Sequence, residues 1–136
     1  MYKRIVVPVD VGQLEKGEKI LRKAMALLDD GGEIVLLNVT EDMPGYLAID
    51  LPADLISNAV KQAEEALDEL ARKVGVSVKR EVRIGAAARE IMAAAHDHSS
   101  DLIIIASHQP DLSNYLLGST ADRVVRHATC SVLVDR

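Results

Sequence analysis

The sequence predicts an α/β fold, a single domain built on an open parallel five-stranded sheet with helices on both faces, and three observations lead there. Short apolar, β-branched runs alternate with longer segments whose apolar residues recur at helical spacing, giving the order β-α-β-α-β-α-β-α-β. Strands separated by single helices form right-handed parallel crossovers. The run Ile103-Ile104-Ile105 has no polar residue, as suits a strand covered on both faces. With 136 residues and no repeat, low-complexity tract or internal boundary, the domain spans 1–136.

Each element has its own signal. Residues 2–9 hold Ile5-Val6-Val7-Pro8-Val9, too short for a helix, with Pro8 near the end where a missing amide is tolerated. Residues 14–28 place Leu14, Gly17, Ile20, Leu21, Ala24 and Leu28 at helical spacing, and Asp29-Asp30-Gly31-Gly32 is expected to stop that helix. Residues 33–40 form a second buried strand. The longest loop follows, with Pro44, Gly45 and Pro52 and no clear period. Across 55–74 the stripe Ile56, Ala59, Ala63, Leu67, Leu70 and Val74 opposes a charged face. Residues 77–84 alternate at period two, as an edge or half-exposed strand does. The chain turns at Gly85, then runs through an alanine-rich helix at 86–97, a strand at 102–106, a helix at 121–127 and a last strand at 130–134.

Composition narrows the partners. The net charge is −5 and the basic residues are scattered, so neither nucleic acid nor an anionic membrane surface is an expected partner. There is no Trp or Phe, which makes the core aliphatic. No secretory signal pattern is present, no apolar run approaches about 18 residues, and a single cysteine cannot form an internal disulfide. These features point to the cytoplasm.

The most informative stretch is 103–122. Its strand leads through an irregular loop to Gly118-Ser119-Thr120, where backbone amides, two hydroxyls and the positive end of a helix converge on a place suited to phosphate. In open α/β sheets a ligand lies beyond the carboxyl ends of the strands, where the winding reverses. If strands one and four are the central pair, Pro8-Val9-Asp10 and residues 107–119 bound one crevice.

Several residues have a plainer reading. Asp10 also suits a cap on the first helix or its turn. Ser119 with Asp122 resembles a capping box, and Gly118 a turn glycine. His108 beside Ser107 and Asp111 is a poor catalytic set, since loop neighbours rarely converge as a nucleophile, base and acid must. His96-Asp97-His98 reads as solvated surface at a helix end, Cys130 as a small apolar residue opening a buried strand, and Tyr46 and Tyr115 as lid or loop packing. Neither a phosphate-binding loop with its lysine nor a dinucleotide-binding glycine pattern after strand one is present, which argues against an efficient P-loop NTPase and a dinucleotide oxidoreductase. A response-regulator receiver would need further acids around Asp10.

The opening Tyr2-Lys3-Arg4-Ile5-Val6-Val7-Pro8-Val9-Asp10 and the tail from Leu116-Leu117-Gly118-Ser119-Thr120-Ala121-Asp122 to Val132-Leu133-Val134 resemble the universal stress protein family over essentially the whole length. The fold implied is the universal-stress-protein, adenine-nucleotide alpha hydrolase-like one. The nucleotide-binding branch of that family carries a Gly, two residues, Gly, nine residues, then Gly and Ser or Thr. Here Ala106 and Gln109 replace the first two glycines and eight residues separate Gln109 from Gly118. That variant loop resembles the F and G types.

The resemblance implies that Pro8, Val9 and Asp10 border adenosine and its ribose, that Val39 and Gly85 flank the base, and that Ser107, His108, Gln109, Gly118, Ser119 and Thr120 meet the phosphates. It implies ATP, AMP or ADP as cofactor, with Mg²⁺ held through phosphate oxygens. It also implies a homodimer through the last strand at Val132 and Leu133, extending to a tetramer in the F and G types. The expected function is an ATP-binding stress-response module that signals by nucleotide occupancy. The alternatives are a slow ATPase or phosphotransfer enzyme and a nucleotide-free dimeric scaffold.

Overall fold

The computed structural model describes residues 1–41, 52–107 and 117–136. In chain order the elements are β1 (Tyr2–Pro8), α1 (Leu14–Leu27), β2 (Leu28–Thr40), α2 (Ala53–Val74), β3 (Lys79–Ile84), α3 (Ala87–Asp97), β4 (Leu102–Ala106), α4 (Ser119–His127) and β5 (Ser131–Asp135). The strands form one parallel sheet in the order β3-β2-β1-β4-β5. Winding therefore proceeds outward from β1 on one side, then reverses to β4 on the other. β1 and β4 are neighbours at the reversal.

Because side chains alternate across a strand, each central strand feeds two cores. Ile5, Val7, Ile34, Leu36 and Ile104 meet Ile20, Leu21 and Ala24 of α1 and Leu67 and Leu70 of α2. Val6, Val35, Leu37, Ile103 and Ile105 meet Ile91 and Ala94 of α3 and Ala121 and Val124 of α4. Helices on both faces thus follow from central strands whose buried stretches, Ile5-Val6-Val7, Ile34-Val35-Leu36-Leu37 and Leu102–Ala106, are apolar at successive positions. The end of α2 follows its sequence as well: Gly75 adopts φ +80° and its N–H returns to the Ala71 carbonyl at 2.9 Å.

Four expectations change. The second strand begins at Leu28 and not at 33, so Asp29-Asp30-Gly31-Gly32 lies within β2: the first helix ends at Leu27 and the chain is already extended at Leu28, which pairs with Tyr2. A register shift between Tyr2 and Arg4, which pair with Leu28 and Glu33, takes up the extra residues of β2, and Gly31 there has φ +77°. No capping box forms at Ser119. Gly118 is the cap position and Ser119 is already helical, so its hydroxyl lies one step too far along, and Asp122 pairs with Arg126 at 3.1 Å. His96 and Asp97 are exposed, but the His98 side chain is only 13% exposed and its Nε2 lies 3.2 Å from Glu81. The last strand, an edge strand, is half-buried, and Cys130 precedes it, partly buried against the second core. The long loop and both Tyr46 and Tyr115 fall largely or wholly outside the described residues.

Candidate functional site

Where β1, β2 and β4 end, their following segments diverge and leave a half-open cavity of about 290 Å³. It is lined by Pro8 at the end of β1 and Val9 and Asp10 after it, by Asn38 and Val39 of β2 and Glu41 just past its end, by Ala87 and Ile91 of α3, by Ile105 and Ala106 of β4, and by Thr120 of α4. The walls are aliphatic. The polar groups are two carboxylates, one amide and one hydroxyl.

The strand ends are tied together at this point. The Val9 N–H donates to the Leu37 carbonyl at 2.7 Å, and the Asn38 amide donates to the Val9 carbonyl at 2.9 Å. Thr40 Oγ1 in turn donates to Asn38 Oδ1 at 3.3 Å. Asn38 is 5% exposed, so the amide is a buried polar group whose partners justify its burial. Asp10 serves both of its readings. Its Oδ1 accepts from the Gly12 N–H at 2.8 Å, closing the turn into α1, and the residue also lines the cavity. That leaves its second oxygen as an acceptor.

At the other lip, the Ser107 N–H donates to the Asp135 carbonyl at 2.8 Å, and the Ser107 carbonyl receives Lys16 Nζ at 3.5 Å. The Asp135 carboxylate is buried against α1, where it pairs with Lys23 and, at 3.3 Å, with Lys19. Burial pushes its carboxyl up, but the hydrogen bonds and charges of Lys23 and Lys19 outweigh burial and hold it below the ordinary range.

Of the residues expected at the site, Pro8, Val9, Asp10, Val39 and Thr120 line the cavity. Gly85, Ser107, Gly118 and Ser119 are next to or within two residues of lining positions without being part of the lining. Gly85 is a required glycine: its φ is +151°, a Cβ there would lie 3.0 Å from Glu90 Cγ, and its N–H continues the β2 pairing at the Thr40 carbonyl. Gly118 is not required by conformation, since φ −60° and ψ 153° are open to any residue. His108 and Gln109 lie outside the described residues.

Sequence reasoning missed Asn38, Glu41, Ala87, Ile91 and Ile105. Only Asn38 carried a signal, as the polar residue inside the apolar run Ile34-Val35-Leu36-Leu37-Asn38-Val39. Among the described residues, no three His, Cys, Asp or Glu side chains converge to hold a metal. Burial, aided by the charge of Asp101, pushes the Cys130 thiol up, which makes it a poor nucleophile. No described helix is long and apolar enough to cross a membrane.

Fold and cavity together define an open parallel α/β protein with a cavity at its switch point. Comparison then supplies the family: the universal stress protein family model matches residues 1–136, and the chain belongs to that family. Universal stress protein G of Shigella flexneri is 36% identical over 145 residues, covering 100% of both chains. The solved structure of the hypothetical protein MJ0577 superposes with a TM-score of 0.81 at 28% identity, covering 98% of this chain and 95% of that one. A universal stress protein from Lactobacillus plantarum gives 0.78 at 25% identity, with 99% and 98% coverage.

Proposed function

We propose that this chain is an adenine-nucleotide-binding stress-response module that takes ATP, with Mg²⁺ bridging the phosphates, in the cleft between β1 and β4. The cavity is the observation that carries this reading, because its chemistry matches the parts of a nucleotide. Val9, Val39, Ile91 and Ile105 offer aliphatic walls to a flat base, and the free oxygen of Asp10 suits ribose hydroxyls. Thr120 and the first amides of α4 suit phosphate. At about 290 Å³ the cavity is large enough for the nucleoside, and the phosphates would extend toward α4.

Two structural neighbours are universal stress proteins solved with cAMP and, from Archaeoglobus fulgidus, with dAMP. At 17% and 18% identity they bear on this chain through fold alone. The protein signals by occupancy. Hydrolysis is slow, since the described residues offer no lysine-bearing phosphate loop and no paired nucleophile and base. The chain acts as one domain in the cytoplasm and pairs through β5, an open sheet edge.

Calorimetric titration with ATP and Mg²⁺ tests the reading, with Gly118→Val as the variant. Because the backbone at Gly118 suits any residue, a lower affinity would report obstruction of the phosphates and not strain. Wild type that releases no heat, or equal affinity in the two proteins, overturns it.

A further inference from the structure

α1 carries three lysines at Lys16, Lys19 and Lys23, spaced so that they share one side of the helix. Lys19 and Lys23 are committed to the buried Asp135 carboxylate. Lys16, one turn nearer the amino end of the helix, meets only the neutral Ser107 carbonyl, at 3.5 Å. Among the described residues it has no carboxylate partner, so its charge is left uncompensated at Ser107, the residue that follows Ala106 of the cavity wall, although Lys16 itself is not part of the lining.

Its position is also unfavourable within its own helix. Lys16 lies in the first turn of α1, where the helix dipole favours an anion and opposes a cation. An anion bound near the Ser107 carbonyl would relieve both conditions. The cavity lining bears the carboxylates of Asp10 and Glu41 and, among the described residues, no cation, so a polyphosphate reaching outward from it gains from a positive charge just beyond the lining, where Lys16 meets Ser107.

We propose that Lys16 is the side chain that meets the outer phosphates of the bound nucleotide and so sets the preference for a triphosphate over a monophosphate. This rests on the adenine-nucleotide reading above. An exposed ammonium attracts each added phosphate charge while leaving recognition of the base untouched, so Lys16 acts on phosphate number alone.

The test is titration of wild type, Lys16→Gln, Lys16→Arg and Lys61→Gln with ATP, ADP, AMP and adenosine at low and moderate salt. Lys61 is an exposed lysine on α2 and controls for overall charge. Lys16→Gln should weaken ATP by about fivefold, the size of a good exposed ion pair, with a smaller loss for ADP and none for adenosine. The loss should shrink as salt is added, and Lys16→Arg should retain wild-type discrimination. A uniform loss across the four ligands, no loss, or an equal loss in Lys61→Gln overturns the role of Lys16 and leaves the binding reading intact. Wild type that binds none of the four overturns both.

Discussion

The amide of Asn38 donates to the carbonyl of Val9 at 2.9 Å, joining the ends of β1 and β2 at the point where the sheet opens into its cleft. The bond is buried, and Asn38 also accepts from Thr40. Asn38→Leu would keep a similar volume while leaving the Val9 carbonyl and the Thr40 hydroxyl without this partner. Urea denaturation should show a loss of about 1–3 kcal/mol, the cost of stranding buried polar groups. An unchanged midpoint would mean that water replaces the amide and that Asn38 does not hold the strand ends.

α1 approaches the same strand end through Gly17. A Cβ at this buried glycine would lie 2.6 Å from Val9 Cγ1 and 3.4 Å from Leu70 Cδ2. Alanine ordinarily favours a helix by about 1 kcal/mol over glycine, but overpacking costs about 1–3 kcal/mol and Val9 is itself buried. Gly17→Ala should therefore lower the melting temperature and weaken ligand binding through displaced Val9. A variant more stable than wild type would show that α1 can move away from the sheet without cost.

Acid should destabilise the protein through identifiable carboxylates. For Glu81, burial raises the carboxyl while hydrogen bonds from Arg83 and His98 lower it further; for Asp101, burial is likewise outweighed by the backbone N–H groups of Lys3 and Arg4. Asp135 follows the same pattern with Lys23 and Lys19. A carboxyl lowered in the folded state contributes stability that is complete above its unfolded value, about 4, and is lost as the pH falls through the folded value. Denaturation midpoints should hold steady above about pH 5 and fall below it. Asp135→Asn should flatten part of that slope, and an unchanged slope would remove Asp135 from the account.

How much of this was legible in the sequence differs by region. Strands such as Leu102–Ala106 were readable to the residue, because an uninterrupted aliphatic run leaves few alternatives. Pro8, Val9 and Asp10 were readable as cavity lining, since the end of a central strand faces the crevice where the winding reverses. Ile91 and Ile105 were not, because an isoleucine lining a cavity and one filling a core look alike in sequence. His98 was misjudged for a tertiary reason: Glu81 of β3, distant in sequence, draws it off the surface. The start of β2 was misplaced, at 33 and not at Leu28, because Leu28 pairs with Tyr2, a contact no local pattern announces.

The open edge at β5 makes a separate prediction about assembly. Leu133 packs against the first core and Val132 against the second, so a charge at either position would disturb the fold along with any interface. The backbone gives a cleaner variant. Asp135 turns its carbonyl to Ser107 beyond the end of β4, so by alternation Val132 and Val134 turn theirs to the open edge. Val132→Pro removes an outward N–H and spares the ladder to β4. Sedimentation at micromolar concentration should show a wild-type dimer and a folded, monomeric variant. Wild type that sediments as a monomer, or a variant that stays dimeric, rules out pairing through this edge.

The claim on which the rest depends is that nucleotide occupies the cleft at the carboxyl ends of β1, β2 and β4. The most direct measurement is the change in backbone amide resonances as ATP and Mg²⁺ are added to the labelled protein. The account predicts shifts concentrated at Val9, Asp10, Val39, Ala106 and Thr120, with little change at the far end of the sheet. It is contradicted if no resonance moves, or if the shifts fall instead around Lys3, Arg4, Ser99 and Asp101, which line the hollow at the amino ends of the strands.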